Sequence, residues 1–141
     1  MIWVGSGETY TLPLHRAVGL YAPANARVRV PAFDLSNATA STTMMLNADA
    51  QWGAKLPQGG CDETCAAYVL VELEDEHGQV IAGYDRTSFN PIMDRDAINL
   101  PLQWNNSSLL PVGHANVTAK IWFRAARVYA VYVGQTFDPG F

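Results

Sequence analysis

The chain has 141 residues, 49% of them hydrophobic and 16% charged, which suits one domain with its own core and argues against intrinsic disorder. Its net charge is −4 at pH 7, so it lacks the basic excess expected of a protein that binds nucleic acid or an anionic membrane surface. No apolar run approaches the roughly 20 residues that span a bilayer, and neither nucleic acid nor membrane is expected as a partner.

The N-terminus shows no basic segment followed by an apolar one, so no signal peptide is visible. Short apolar pieces around Gly5, Gly7, Pro13 and His15 lead into residues 17–21 (AVGLY), which read as a strand. The glycine-rich texture of residues 1–25 sets that segment apart from a domain over residues 26–141. Pro23 and Asn25 mark a turn, and residues 27–30 (RVRV) alternate as a short strand does. Residues 31–40 are loop-like, with Asp34, Ser36 and Asn37 as turn formers. Residues 42–47 (TTMMLN) read as a strand, and residues 50–64 as a long loop with four glycines and prolines.

Residues 67–85 (AYVLVELEDEHGQVIAGYD) read as a hairpin. Val69, Val71 and Leu73 share one face at a spacing of two; Tyr68, Leu70, Glu72 and Glu74 share the other. Gly78 stands in the acidic turn where a positive φ is needed, and Val80 and Ile81 open the return strand. Residues 98–104 alternate Ile98, Leu100, Leu102 and Trp104 on one face, and Pro101 assigns the strand to an edge or a bulge. Residues 116–124 (NVTAKIWFR) place Val117, Ala119, Ile121 and Phe123 inward and Thr118, Lys120, Trp122 and Arg124 outward, and residues 127–133 (RVYAVYV) close the set. Roughly eight short strands and no amphipathic helix predict an all-β, antiparallel β-sandwich of the jelly-roll, concanavalin-like kind.

Several of these pieces together form a pattern: residues 46–50 (LNADA), 71–84 (VELEDEHGQVIAGY), 102–104 (LQW) and 119–130 (AKIWFRAARVYA), with residues 15–21 (HRAVGLY) ahead of them. The pattern resembles the C-terminal β-sandwich of five-bladed-propeller glycosidases, the fructosidase/arabinanase-related group. It spans residues 15–132. Residues 51–65 are longer than the equivalent loop of that group and carry the CDETC pair. The resemblance implies that residues 1–25 are the remnant of a preceding propeller, and that the catalytic carboxylates of the group lie in a propeller absent from this sequence. The chain would then be a non-catalytic accessory or carbohydrate-binding module rather than an enzyme.

Three functions are weighed. Sugar binding needs exposed aromatic faces with amide and carboxylate partners. Trp52 lies in the long loop close to Asn47, Asp49 and Gln51, and Trp122 lies on the polar face of its strand; Tyr84 and Trp104 read as core. A structural domain would instead dock on a partner domain, or on itself, through an exposed aromatic edge. A small glycoside hydrolase would need two facing carboxylates about 5–9.5 Å apart; Glu72 and Glu74, about 6–7 Å apart along a strand, are the densest acidic set with Asp75 and Glu76, and they read as a solvated rim. Cys61 and Cys65 make too few ligands for structural zinc; they form a short disulfide loop in an extracellular protein and free thiols otherwise. No cofactor is expected, with calcium on loop carboxylates (Asp49, Asp62, Glu63, Asp94, Asp96) as the one cation weighed. Asn37, Asn105, Asn106 and Asn116 fit the N-glycosylation acceptor pattern, which points to an extracellular site only if the chain belongs to a longer secreted protein.

Overall fold

A computed structural model of the chain describes residues 2–4, 8–10, 19–22, 25–51 and 67–134. Among these residues there is no helix. Nine strands follow one another: β1 (Ile2–Val4), β2 (Glu8–Tyr10), β3 (Leu20–Ala22), β4 (Ala26–Phe33), β5 (Thr43–Asp49), β6 (Tyr68–Glu74), β7 (Asp96–Pro101), β8 (Val117–Arg124) and β9 (Ala126–Gly134). β1 and β2 pair as a two-stranded ladder. The other seven make two antiparallel sheets, one of four strands in the order β3-β9-β5-β7 and one of three in the order β4-β8-β6.

The core draws on both sheets. Met44, Leu46 and Ala48 of β5 and Leu100 of β7 come from the four-stranded sheet; Val69, Val71 and Leu73 of β6 and Val117, Ala119, Ile121 and Phe123 of β8 come from the three-stranded one. β8 shows the strict alternation that its sequence predicts, each inward residue buried and each outward one half-buried. Burying each large aliphatic side chain of this set contributes about 1.5–3 kcal/mol, and the shared cluster gives a sandwich-like, all-β architecture.

Three local predictions change. β4 does not stop before Pro31 but runs on to Phe33, with a register shift between Val30 and Phe33. Because β4 is an edge strand, a proline there removes no necessary ladder bond. The expected hairpin over residues 67–85 forms only its first strand: β6 pairs along its whole length with β8. Its return arm is a chain of turns held to β6 by the isolated bridge of Glu74 to Val80 and by backbone bonds of Leu73 with Ile81 and Tyr84. Asp75 N–H donates to the Gln79 carbonyl at 2.8 Å, Gly78 takes the positive φ of 76°, and Ile81 N–H donates to the Leu73 carbonyl at 2.9 Å. The short apolar pair Val80–Ile81 ends at Gly83, which also has a positive φ (85°), so no second strand propagates. Further on, Ile92 and Val69 exchange backbone bonds of 3.1 and 3.0 Å, and these bridges cover an edge of β6 that would otherwise be open. The third change concerns the joint between the sheets. β8 ends at Arg124 and β9 begins at Ala126, so Ala125 alone carries the chain from one sheet to the other; it is buried, takes φ 47°, and donates its N–H to the Ala22 carbonyl at 2.7 Å.

β7 is an edge strand, as Pro101 requires. Trp104, beyond its end, is 2% exposed and donates Nε1–H to the Val71 carbonyl at 3.0 Å, with Phe89 and Tyr84 packed at ring centroids of 5.3 Å each. Tyr84 is half-buried against the core, and its hydroxyl donates to the Leu109 carbonyl at 2.8 Å.

Candidate functional site

The outer face of the three-stranded sheet gathers three cations, Arg27, Arg86 and Lys120, around one aromatic ring. β8 runs down its middle. Directly opposite Trp122 stand Arg27 on β4 and Leu70 on β6; opposite Lys120 stand Arg29 and Glu72. Residues directly opposite one another in an antiparallel pair share a face, so the alternation that buries Ile121 and Phe123 also assembles this outer row.

The lower half of the row is an ion-pair network. Lys120 Nζ lies 3.5 Å from Glu72 and 3.4 Å from Glu74, and Arg29 donates to Glu74 Oε2 at 2.7 Å. The side chains of Glu72 and Glu74 are only 9% and 4% exposed. This corrects the solvated rim expected of residues 72–76: the two strand carboxylates are buried and paired, and only the turn that follows, with an exposed Glu76, meets water. Lys120 and Arg29 close over the acids, and the charge arrives from other strands, which local sequence around the glutamates does not display. Taking these carboxylates out of water is tolerated because each has a cation and the network is mutually satisfied.

The upper half centres on Trp122. Its indole is half-buried, and the Nε1–H is buried with no acceptor among the described residues. The Arg86 guanidinium lies over the ring at 4.2 Å from the centroid, with Lys120 at 5.2 Å and Arg27 at 5.3 Å. Cations within about 6 Å of a tryptophan ring are attracted by its quadrupole. The ring also lines a pocket of about 190 Å³ with Asn25, Ala26 and Arg27. Asn25 is fixed by the Tyr68 hydroxyl, which donates to its Oδ1 at 2.6 Å. Arg27 and Arg86 have no carboxylate within ion-pair distance among the described residues.

Arg86 reaches this face from a turn with its own anchor. The Asp85 carboxylate accepts from the Ser88 hydroxyl at 2.6 Å and from the Thr87 hydroxyl, and these bonds, Ser88 first, hold its pKa down to about 2. Backbone bonds from Ser88 and Phe89 N–H to the Asp85 carbonyl complete the turn.

The other expected residues fall elsewhere. Asn47 is wholly buried and Asp49 is 5% exposed, so these two do not line a surface; Asp49 accepts from the Gln51 N–H at 2.9 Å. Gln51 is half-buried and donates its side-chain amide to the Asp94 carbonyl at 3.0 Å. Strand β5 carries both Asn47 and Asp49 into the interior of its sheet, between β9 and β7. Trp52, Cys61 and Cys65 lie outside the described residues, as do Asp62 and Glu63. No group of three or more His, Cys, Asp or Glu side chains suited to a metal ion occurs among the described residues. Of the residues predicted for binding that lie among the described ones, Trp122 lines this pocket, with Asn25, Ala26 and Arg27; Arg86 lies over the ring beside it. The alternation of residues 27–30 points Arg27 outward with Arg29, a readable signal; Arg86 sits in a polar turn and carries none.

Comparison with protein-family models, with curated proteins and with solved structures finds no match.

Proposed function

We propose that this domain is a non-catalytic, carbohydrate-binding accessory module: a β-sandwich of jelly-roll type, related to the C-terminal domain of propeller glycosidases. The observation that carries the reading is Trp122, a half-buried aromatic ring on an outer sheet face, which lines a pocket with Asn25 and Arg27 and has the Arg86 guanidinium over it, neither arginine having a carboxylate partner among the described residues. Aromatic faces with a few directed polar groups are what a pyranose ring needs. The motifs behind the family likeness lie on connected elements, with residues 46–50 on and just after β5, 71–74 on β6 and 119–130 across β8 and β9. Glu72 and Glu74, the acid pair a small hydrolase would have used, are committed to Lys120 and Arg29, which argues against that use.

A glycan array probed with the wild-type domain and with Trp122→Ala tests this. Binding to one or more glycans that falls at least tenfold in the variant supports the reading. Absence of binding to every glycan, or binding indifferent to Trp122, overturns it; self-association through this face would then favour a docking domain.

A further inference from the structure

Resting on the reading of Trp122 as a sugar platform, we infer that the pocket is built for an acidic sugar, one that carries a carboxylate or a sulfate.

The charged side chains at the pocket and over its ring, Arg27 and Arg86, are hydrogen-bond donors. Arg27 and Arg86 can only donate, and both are exposed, without a carboxylate partner among the described residues. Asn25, which lines the pocket, accepts from the Tyr68 hydroxyl through Oδ1 and keeps its amide N–H groups as donors. A neutral sugar offers hydroxyls that both donate and accept, and a donor-only lining uses half of that capacity. A carboxylate or sulfate accepts only, matches a guanidinium fork, and forms charge-assisted bonds about twice as strong as neutral ones.

Charge accounting points the same way. The acids on this face are spent: Glu74 is bound by Arg29 and Lys120, and Glu72 by Lys120. The residual charge beside Trp122 is therefore the positive charge of Arg27 and Arg86, in a chain whose net charge is −4. Two guanidinium groups about a ring repel each other until an anion enters. The anionic substituent then draws Arg86 off the ring face that it covers at 4.2 Å, and the indole stacks on the sugar's C–H face. Neither guanidinium is needed for the fold, since both side chains lie on the surface.

The experiment measures affinity on matched pairs by titration calorimetry: oligogalacturonate against the same oligosaccharide after carboxyl reduction, and dextran sulfate against dextran, alongside the glycan array. The wild-type domain is expected to prefer the anionic member of at least one pair by tenfold or more, with affinity falling as salt rises. Arg27→Gln and Arg86→Gln should each lower that affinity about tenfold while leaving thermal unfolding unchanged. The carboxylate and sulfate arms separate the two anionic substituents. Equal binding of neutral and anionic members, unaffected by either arginine variant but lost in Trp122→Ala, would overturn the acidic preference and leave the carbohydrate reading standing. No binding to any array glycan or matched pair would overturn both.

Discussion

Trp104 and Trp122 are the same side chain put to opposite uses. Trp104 is sealed in the core, its N–H satisfied by the Val71 carbonyl and its ring boxed by Phe89 and Tyr84. Trp122 sits on β8, on the outer face of the three-stranded sheet, its N–H unanswered among the described residues and its ring surrounded by three cations. The first has every group matched, which is what a structural residue requires. The second has a buried N–H with no acceptor among the described residues, on a ring that borders a pocket. Satisfaction of polar groups, more than exposure alone, separates the two.

That contrast can be broken from either side. The largest effect is expected for Trp104→Ala, which opens a cavity and strands the Val71 carbonyl; about 3–5 kcal/mol should be lost in urea unfolding, with the remaining domain still binding whatever the wild type binds. Lys120→Met should cost about 3 kcal/mol, because it leaves Glu72 without a cation and Glu74 with Arg29 alone, both carboxylates still buried. Adding Glu72→Gln to that variant should recover part of the loss, and a double-mutant cycle measures the coupling. Trp122→Ala should cost only about 1 kcal/mol of stability while removing glycan binding; a stability loss as large as that of Trp104→Ala would erase the distinction drawn between the two rings.

The smallest effect sharpens the picture of Arg86. Asp85 is held below its ordinary pKa by Ser88 and Thr87. A depressed carboxylate contributes stability that is complete above its unfolded pKa, near 3.8, and that disappears as pH falls through about 2. Between those values the turn should loosen, and Arg86 should lose its fixed place over Trp122. Asp85→Asn is expected to flatten the dependence of stability on pH in that window and to weaken any anionic-ligand binding modestly at neutral pH. An unchanged pH profile would show that the carboxylate does not hold the turn.

How far the sequence reveals this arrangement depends on how local each signal is. The strict alternation of β8 predicts its buried and outward rows, because one strand's pattern contains all the information. Pro101 predicts an edge strand or a bulge, because a missing N–H cannot serve a regular central ladder; β7 lies at the edge. The return arm after Gly78 reads as a strand because Val80 and Ile81 have strand propensity, but two residues before a second positive-φ glycine do not make a ladder. Glu72 and Glu74 read as solvated because acids normally are. What buries them, Lys120 and Arg29, lies 46 to 48 and 43 to 45 residues away and meets them only through the register of β4, β8 and β6. Asn47 and Asp49 read as loop-side ligands because a polar residue on a strand suggests a surface, yet both are buried on β5. The pocket beside Trp122 is non-local in the same way, and only Trp122 itself and the outward turn of Arg27 are visible beforehand.

Ala125 places a further constraint on the whole assembly. A corner of one residue has no slack: it transmits the phase of β8 directly to β9. Because facing alternates with every residue along a strand, the parity of that corner decides which row of β9 meets the core. Lengthening it by a single residue would leave β8 undisturbed and turn β9 over, presenting Arg127 and Tyr129 where Ala126 and Val128 now pack, whereas an insertion of two would restore the facing with only a translation. The corner therefore works as a counting device, in which odd and even lengths specify different molecules from otherwise identical strands.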